Sequence, residues 1–536
     1  MNTPKRIDLK PEEMDALLER VKQGRLEDND YEIIKAMAET VSYLSRLSDK
    51  KAATIKRLLK MMFGDQSEKA EKILKKNKPK PLPKETKEKP GGHGRNGAAA
   101  YTGGKKIKIP HETLKHGSRC PECQKGKVYR DNKPATVVRV TGKAPLQATV
   151  YQMARLRCNL CGQIFTAKTP DDIGTEKYDA PAASMIALLK YGSGLPFNRL
   201  QQLQAGLGVP LAASTQWEIV DHAANKVVIA WEELVRQAAQ GEVLHNDDTT
   251  AKILSVIKEN AAGGSARKGM FTTGILSKVD DGKIALFFTG THHAGENMAK
   301  VLAKRQSGLA PPIQMCDALS RNLPKDFTTL LANCLVHARR NFVDVYDSFP
   351  DQCQFVIETL ADVYRNDHVT KEENMSADDR LAYHQAQSGP LMEALENWLD
   401  EQLQDKKAEP NSGLGKAISY MQNHWEALTQ FMKVPGAPLD NNLCEQLLKR
   451  AILHRKNSLF YKTERGAFVG DIYMSLIHTC SLVNTNPFDY LTALQEYNDL
   501  VQKDPRDWMP WNFTKTLQTS EAKSLQAQYY DPAPSR

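Results

Sequence analysis

The rhythm of apolar and polar positions changes several times along this chain, and each change marks a segment. From Tyr31 to Phe63 apolar residues recur in a heptad sense. Ile34, Val41, Ile55 and Met62 stand seven or fourteen apart, with Met37, Leu44 and Leu58 offset by three. Ser48 and Lys51 interrupt this stripe and Gly64 ends it. It reads as a short coiled coil pairing two copies, or as one amphipathic helix lying on its own protein. The periodicity then fades, and Pro90–Gly97 is too glycine-rich for regular structure.

From Ala180 the pattern turns helical, over Ala183–Leu189, Phe197–Leu203 and, after a Gly-Leu-Gly-Val-Pro break, Ser214–Ala224. Helix, glycine-bearing turn and a helix opened by Ser214 or Thr215 is the order of a helix-turn-helix, and any helical hairpin gives a similar string. Around Val243 the runs become β-branched. Val243–Ile257, Phe271–Leu276 and Ile284–Thr291 predict three strands joined by short turns. Ala294–Ala303 is helical, and Pro312–Asp317 reads as a fourth strand ending in a carboxylate. Three strands, helix, strand is the opening of a ribonuclease-H-like domain, in which the first strand meets the fourth in mid-sheet. Residues Phe342–Met432 repeat helical segments (Phe355–Tyr364, Leu391–Leu403, Leu414–Phe431) and predict an all-helical insertion. A helix N-capped by Asp440 or an Asn follows, with Glu445 about one turn in.

Composition sharpens this picture in three places. At 536 residues the chain is long enough for three or four domains. No apolar run approaches the ~18 residues of a membrane span and Met1–Glu13 is charged, so a soluble, cytoplasmic protein with no membrane partner is expected. The formal charge of +9 is concentrated: Lys75–Lys108 holds eleven Lys/Arg against two Glu. That stretch, with Lys105 and Lys106 near its end, reads as a mobile arm able to follow a phosphate backbone, or as a solvated linker. Four of the nine cysteines fall as two pairs, Cys120/Cys123 and Cys158/Cys161, around a β-like segment. Each Cys-x-x-Cys knuckle delivers two thiolates to one tetrahedral Zn²⁺, and Gly126 and Gly162 suit the turns that follow, so a zinc ribbon is expected.

The run Leu244-His-Asn-Asp-Asp-Thr-Thr poses a physical question. Adjacent strand residues face opposite ways, so Asp247 and Asp248 cannot both serve one site, and a buried carboxylate needs a cation or a metal. For an isolated Asp-Asp, a turn or a salt bridge would be the better explanation.

Several strings together carry a resemblance. They are Met62-Phe-Gly-Asp-Gln-Ser-Glu-Lys, the His-Gly-Arg-Asn-Gly-Ala arm, the two knuckles, Asp-Asp-Thr at 247–249, Cys334-Leu-Val-His-Ala-Arg-Arg-Asn-Phe, Asp440-Asn-Asn-x-x-Glu445 and Arg455-Lys-Asn-x-Leu-Phe460. With these the chain resembles a DDE transposase of the insertion sequence 66 family over nearly its whole length. The resemblance implies catalytic carboxylates at Asp247, Asp317 and Glu445 holding two Mg²⁺ (or Mn²⁺) ions. It also implies binding of the element's DNA ends and of target DNA, self-association, and small accessory proteins encoded by related elements. Asp247-Asp248-Thr249 stands where the family has Asp-Glu-Thr, and Ala318-Leu319 where it has Gly and an aromatic. Which aspartate faces the metals is thus left open, with Asp247 favoured. Arg339, Arg340, Arg455 and Lys456 are phosphate-contact candidates. Cys334 and His337 repeat a Cys-x-x-His spacing that a core role explains better than a second zinc site, because the sequence offers no partner pair nearby.

The expected organisation is therefore an N-terminal helical or coiled-coil segment (1–66), a basic linker (67–112), a zinc ribbon (113–170) and a helix-turn-helix region (171–240). A ribonuclease-H-like α/β catalytic domain (241–341 and 434–495), interrupted by an all-helical insertion (342–433), comes next, then a C-terminal tail (496–536). A nuclease of the same fold and a catalytically inactive, transposase-derived DNA-binding regulator are the rival readings of function.

Overall fold

The computed structural model describes residues 11–25, 27, 29–35, 37, 113–129, 136, 144–157, 159, 161, 163–168, 170, 176–263, 267–280 and 282–518. The heptad stretch beyond Met37, the basic arm with Lys105 and Lys106, Cys158 and the end of the chain lie outside these residues. Two compact units divide the chain, Met1–Lys80 and Pro81–Arg536. In the first, helix α1 (Pro11–Gln23) is followed by helical residues 29–35. Arg20 grips the buried Asp30 with both arms of its guanidinium, at 2.8 and 2.7 Å.

The second unit begins with the hairpin β1 (Arg155–Arg157) and β2 (Ile164–Thr166), paired antiparallel. Helix α2 (Ala180–Ala187), prolonged by a π turn over Leu188–Gly192, leads to α3 (Phe197–Gly206) and α4 (Ala213–Ala238). Strand β3 (Val243–Thr250) and the short α5 (Leu254–Ala261) follow, then β4 (Phe271–Val279), β5 (Gly282–Gly290), α6 (Ala294–Leu302), β6 (Ile313–Cys316) and β7 (Leu330–Asn333). The helices α7 (Leu335–Val345), α8 (Pro350–Glu372), α9 (Ala377–Gln387), α10 (Gly389–Gln404) and α11 (Gly413–Asn423) come next. The chain finishes with α12 (Asn442–Ser458), α13 (Glu464–Leu482), α14 (Pro487–Glu496), α15 (Asn498–Lys503) and α16 (Phe513–Leu517).

The five strands form one sheet in the order β5-β4-β3-β6-β7. Strands β3, β4 and β5 make the antiparallel meander expected from their turns, while β6 runs parallel to β3 and β7 parallel to β6. The core is thus a mixed α/β sheet covered by many helices. Strand β7 was not expected, and the predicted strand Val243–Ile257 stops at Thr250, with α5 beginning at Leu254.

Helix α4 runs for 26 residues, well beyond Ala224, because its apolar stripe continues through Val227, Ala230, Leu234 and Ala238. These residues share one hydrophobic core with Leu244, Ile275, Phe287, Tyr473 and Tyr490. The residues expected to form a tail from 496 are helical to Leu517. Trp508, Met509 and Phe513 are buried in that same core, and Trp508 stacks on Tyr497 with ring centres 5.6 Å apart. Among the described residues no helix is long and apolar enough to cross a membrane.

Helix α13 solves the problem of the edge strand β5. Three of its side chains, spaced four residues apart, accept from alternate backbone N–H groups of β5: Thr479 from Ala285 at 3.0 Å, Ser475 from Phe287 at 3.0 Å and Asp471 from Thr289 at 2.6 Å. The spacing matches because four helical residues rise ~6 Å and two strand residues ~6.6 Å. An edge that could template aggregation is thereby capped by side chains. Removing one acceptor leaves a buried N–H unpaired, so Ser475→Ala should cost about 1–3 kcal/mol in denaturant unfolding and raise the tendency to aggregate. An unchanged midpoint would show that water replaces the hydroxyl.

Candidate active site

The register of the central strands sets the site. Val243 lies beside Ile313, Leu244 beside Gln314 and His245 beside Met315, an offset of seventy. Continued by two residues, that offset puts Asp247 level with Asp317, just past the C-terminal end of β6. Asp247 pairs across β3/β4 with Gly274, so no side chain from that neighbour crowds its face.

Alternation along β3 separates the two aspartates. Asp248 turns to the face of α6: it accepts from Thr273 Oγ1 at 2.6 Å and from the Ala294 backbone N–H at 2.9 Å, and it lies 3.2 Å from His293 Nδ1. It therefore satisfies an orphan donor at a helix N-terminus, where negative charge is also favoured by the helix dipole. Asp247 turns the other way. Burial pushes its carboxyl up to about 7, partly offset by the Asp248 N–H bond at 2.7 Å and reinforced by the charges of Asp317, Asp248 and Glu445. Burial also raises Asp317, against the pull of His337, Arg321 and the bond from Asn322 Nδ2.

Glu445 sits in the first turn of α12, whose start is fixed by Asn441. The Asn441 side chain is buried. Its Nδ2 donates to the Asn246 carbonyl at 3.1 Å, its Oδ1 lies 3.0 Å from His245 Nδ1, and its backbone N–H reaches Cys334 Sγ at 3.3 Å. Burial holds His245 down at about 4, so at neutral pH the ring is uncharged and its Nδ1–H donates to Asn441. A second buried set adjoins: Gln314 Nε2 donates to Asn246 Oδ1 at 3.0 Å and to the Asn322 carbonyl at 2.8 Å, and Asn322 Nδ2 donates to Asp317. Sequence reasoning did not single out Asn246, Gln314 and Asn322. For Asn246 and Gln314 the signal was a polar residue within a strand; Asn322, in the 3-10 turn after β6, carried none.

The carboxylates interact electrostatically, yet the tightest cluster is a different one. Among the described residues, the one group of three whose ligand atoms all lie within 4.8 Å of one another is Cys334, His337 and Glu445. His337 Nε2 stands 3.9 Å from Glu445 Oε1, which is buried and has no hydrogen-bond partner. The insertion also reaches this corner. Tyr420 on α11 has its hydroxyl pushed up to about 12, by burial and then by the charge of Asp317.

The cation candidates are dispersed. Arg455 donates to Thr249 Oγ1 at 3.1 Å, to Thr250 Oγ1 at 2.6 Å and to the Thr250 carbonyl, tying α12 to the end of β3. Lys456 is exposed beside it, and Arg339 and Arg340 lie half-buried on α7. The first knuckle has thiolate-like surroundings: Cys120 N–H donates to the Gly126 carbonyl at 2.8 Å, and Gly126 N–H to Cys123 Sγ at 3.4 Å. That contact and its neighbours hold the Cys123 thiol below its ordinary value. Cys161 follows β1 in the β1–β2 turn.

The two aspartates predict opposite mutant behaviour in the metal-free protein. The folded chain keeps a proton on Asp247 up to about pH 7 that the unfolded chain releases near pH 4. Its contribution is neutral in acid, turns destabilising between those values and is fully destabilising above pH 7. Asp247→Asn should therefore raise the melting temperature by a few degrees at pH 8 and hardly at pH 4, whereas Asp248→Ala should cost roughly 1–2 kcal/mol through the lost cap. Thermal melts at both pH values check this, and stabilisation by the Asp248 variant would reverse the assignment.

Residues 177–468 match the family model described as Transposase IS66 family, a span that contains Asp247, Asp317 and Glu445. Three curated proteins of Sinorhizobium fredii are similar. Uncharacterized protein y4jD is 31% identical over 188 residues, 34% of this chain and 36% of that protein. Uncharacterized protein y4hP is 25% identical over 390 residues, 67% of each, and uncharacterized protein y4qI 24% identical over 342, 61% of each. The chain thus spans from about a third to two thirds of the length of these relatives. Because the matched span takes in more than half of its residues, the chain belongs to the IS66 transposase family.

Proposed function

We propose that the chain is a DDE-type transposase that binds the ends of an insertion sequence and carries out metal-dependent strand cleavage and strand transfer. The observation that carries this reading is the arrangement of its acids. Asp247 lies on β3 and Asp317 just past the end of the parallel neighbour β6, on the continuation of the same seventy-residue offset; Glu445 arrives on a helix anchored to β3, and Asp248 is engaged on the opposite face. The strand order β5-β4-β3-β6-β7, antiparallel then parallel, supports reading the domain as ribonuclease-H-like. The family supports a transposase role.

The donor set fits Mg²⁺ or Mn²⁺. Asp247, Asp317 and Glu445 offer oxygen ligands only, and such hard cations prefer oxygen. The raised Asp247 carboxyl and the buried, unpartnered Oε1 of Glu445 are the signs of a cluster short of positive charge. Two such ions, when bound, would activate a water or a 3′-hydroxyl and stabilise the leaving oxygen of an in-line phosphoryl displacement. Asp247 and Asp317 would hold the ions, with Glu445 completing the set. The Asn441 and Asn322 bonds keep the carboxylates from relaxing apart. Lys456, Arg339 and Arg340 are the cations assigned to phosphate contacts in this reading, and Arg455 steadies the end of β3.

The remaining modules are read as DNA handling: the knuckles Cys120/Cys123 and Cys158/Cys161 as a zinc ribbon, α3 and α4 as the helix-turn-helix, and Lys105 and Lys106 as part of a phosphate-following arm. Double-stranded DNA on the nucleoid is the substrate, with self-association and accessory proteins of the element as further partners.

A strand-transfer assay with end-bearing DNA and Mg²⁺ tests this. Wild type should cut and join, and Asp248→Asn should retain activity. Asp317→Asn should lose on the order of 10²–10³-fold, the scale of removing one stabilising group from the reacting centre. Full activity in Asp317→Asn would overturn the assignment. Cutting without joining would favour a nuclease, and end binding without cutting an inactive regulator.

A further inference from the structure

We infer that Cys334, His337 and Glu445 form a zinc-binding site, and that zinc held there withdraws Glu445 from the carboxylate set and switches the nuclease chemistry off. The second half rests on the catalytic reading of Glu445, and the first half stands without it.

The geometry begins at the junction of β7 and α7. Cys334 is the residue on which α7 starts, and His337 follows one turn later on the same helix, so both side chains fall on its first turn. Glu445 comes from the first turn of a second helix, α12, which Asn441 locks against the same corner. Cys-x-x-His supplies two ligands by spacing alone. A third, 108 residues further on, is contributed by the fold, and all three ligand atoms lie within 4.8 Å of one another. The partner that the Cys-x-x-His spacing lacks in sequence is thus a single carboxylate brought in by the fold.

Polar bookkeeping in the corner points the same way. Glu445 Oε1 and His337 Nδ1 are both buried atoms without a hydrogen-bond partner. Leaving the carboxylate oxygen bare costs free energy, and an ion bound between it and His337 Nε2 relieves that cost directly. Cys334 Sγ accepts the Asn441 N–H at 3.3 Å, which partly offsets the burial that pushes the thiol up to about 11.

Donor chemistry selects the cation. One thiolate, one imidazole and one carboxylate suit Zn²⁺, with its borderline softness, and are a poor set for Mg²⁺. Three protein ligands leave one tetrahedral position open for water or a phosphate oxygen. Because the buried thiol must release its proton to bind, this site should fill after the four-cysteine ribbon. Glu445 cannot serve both sets fully: in the present arrangement it stands 3.9 Å from His337 Nε2, and an ion between them would draw its Oε1 further towards that helix. Zinc at the corner is thus a competitor that acts by taking a ligand, whereas an ion that merely displaced Mg²⁺ would need neither Cys334 nor His337.

Two readouts on the full-length chain test the proposal. Zinc per chain is measured by atomic absorption after dialysis against micromolar Zn²⁺ with millimolar Mg²⁺, for wild type, Cys334→Ser and His337→Gln. Wild type should retain one zinc more than either variant, a difference independent of how much the ribbon holds. Equal counts would overturn the site. The half-exposed His337 makes the second variant informative even if the buried Cys334→Ser folds poorly. Strand transfer is then measured as the ratio of activity with and without micromolar Zn²⁺ within each protein. That ratio should fall at least ~10-fold in wild type, the scale of a lost metal-site partner, and stay near unity in Cys334→Ser. A retained zinc difference with equal inhibition of both proteins would overturn the switch alone. Absence of activity from every protein would count against the catalytic reading while leaving the zinc count to decide the site.

Discussion

The two-residue period of a β-strand is the constraint on which this site depends. Because Asp247 and Asp248 are neighbours on β3, they must face opposite sides of the sheet, and the protein uses both faces. One carboxylate closes a helix end, accepting from Ala294 and Thr273. The other is left beside Asp317 with its proton affinity raised by burial and like charge. The parallel pairing of β3 with β6 is what makes the second relation possible, since the same offset that matches His245 to Met315 carries on to the two acids. A one-residue slip would exchange the duties of the two aspartates.

Holding three acids near one another costs free energy in the folded, metal-free chain, and buried amides help to offset it. Asn441 links α12 to β3 by contacts at both ends of its side chain, while Asn246, Gln314 and Asn322 form a continuous path from β3 to Asp317. In a low-dielectric interior such bonds are strong and their loss expensive, so they fix position rather than merely fill space. On the far side of the sheet, Asp471, Ser475 and Thr479 hold α13 against β5, which keeps the meander in place. The insertion is held together by its own buried charge: burial would raise Asp367, but His384, Lys371 and Arg380 hold it well below the usual range.

Much of this was legible where one physical signal dominated. The meander and α6 could be read from β-branched runs and turn residues, because those strands are long and flanked by breaks. Strand β7 was missed because four residues, Leu330-Leu-Ala-Asn, show no period of their own. Helix α4 was read too short because the helix-turn-helix pattern ends at Ala224, while its apolar stripe towards the sheet runs on to Ala238. The packed C-terminal helices leave little trace in the sequence because Trp508, Met509 and Phe513 are anchors in short elements without periodicity. At the site, strand alternation required the aspartates to diverge but could not say which way. The groups that decide it, Thr273 and Ala294, lie 25 and 46 residues away in sequence. Glu445 was found through its motif, and its closeness to Cys334 and His337 is a property of the fold alone.

On the proposed reading, Asp247 and not Asp248 joins Asp317 in holding the catalytic cations. A crystal structure of the chain with Mn²⁺ and an element-end DNA tests it most directly, because manganese identifies itself by anomalous scattering. The account predicts anomalous peaks in contact with carboxyl oxygens of Asp247 and Asp317, with Asp248 still bonded to the Ala294 N–H. Manganese bound by Asp248, or no manganese at Asp247 and Asp317, would contradict it.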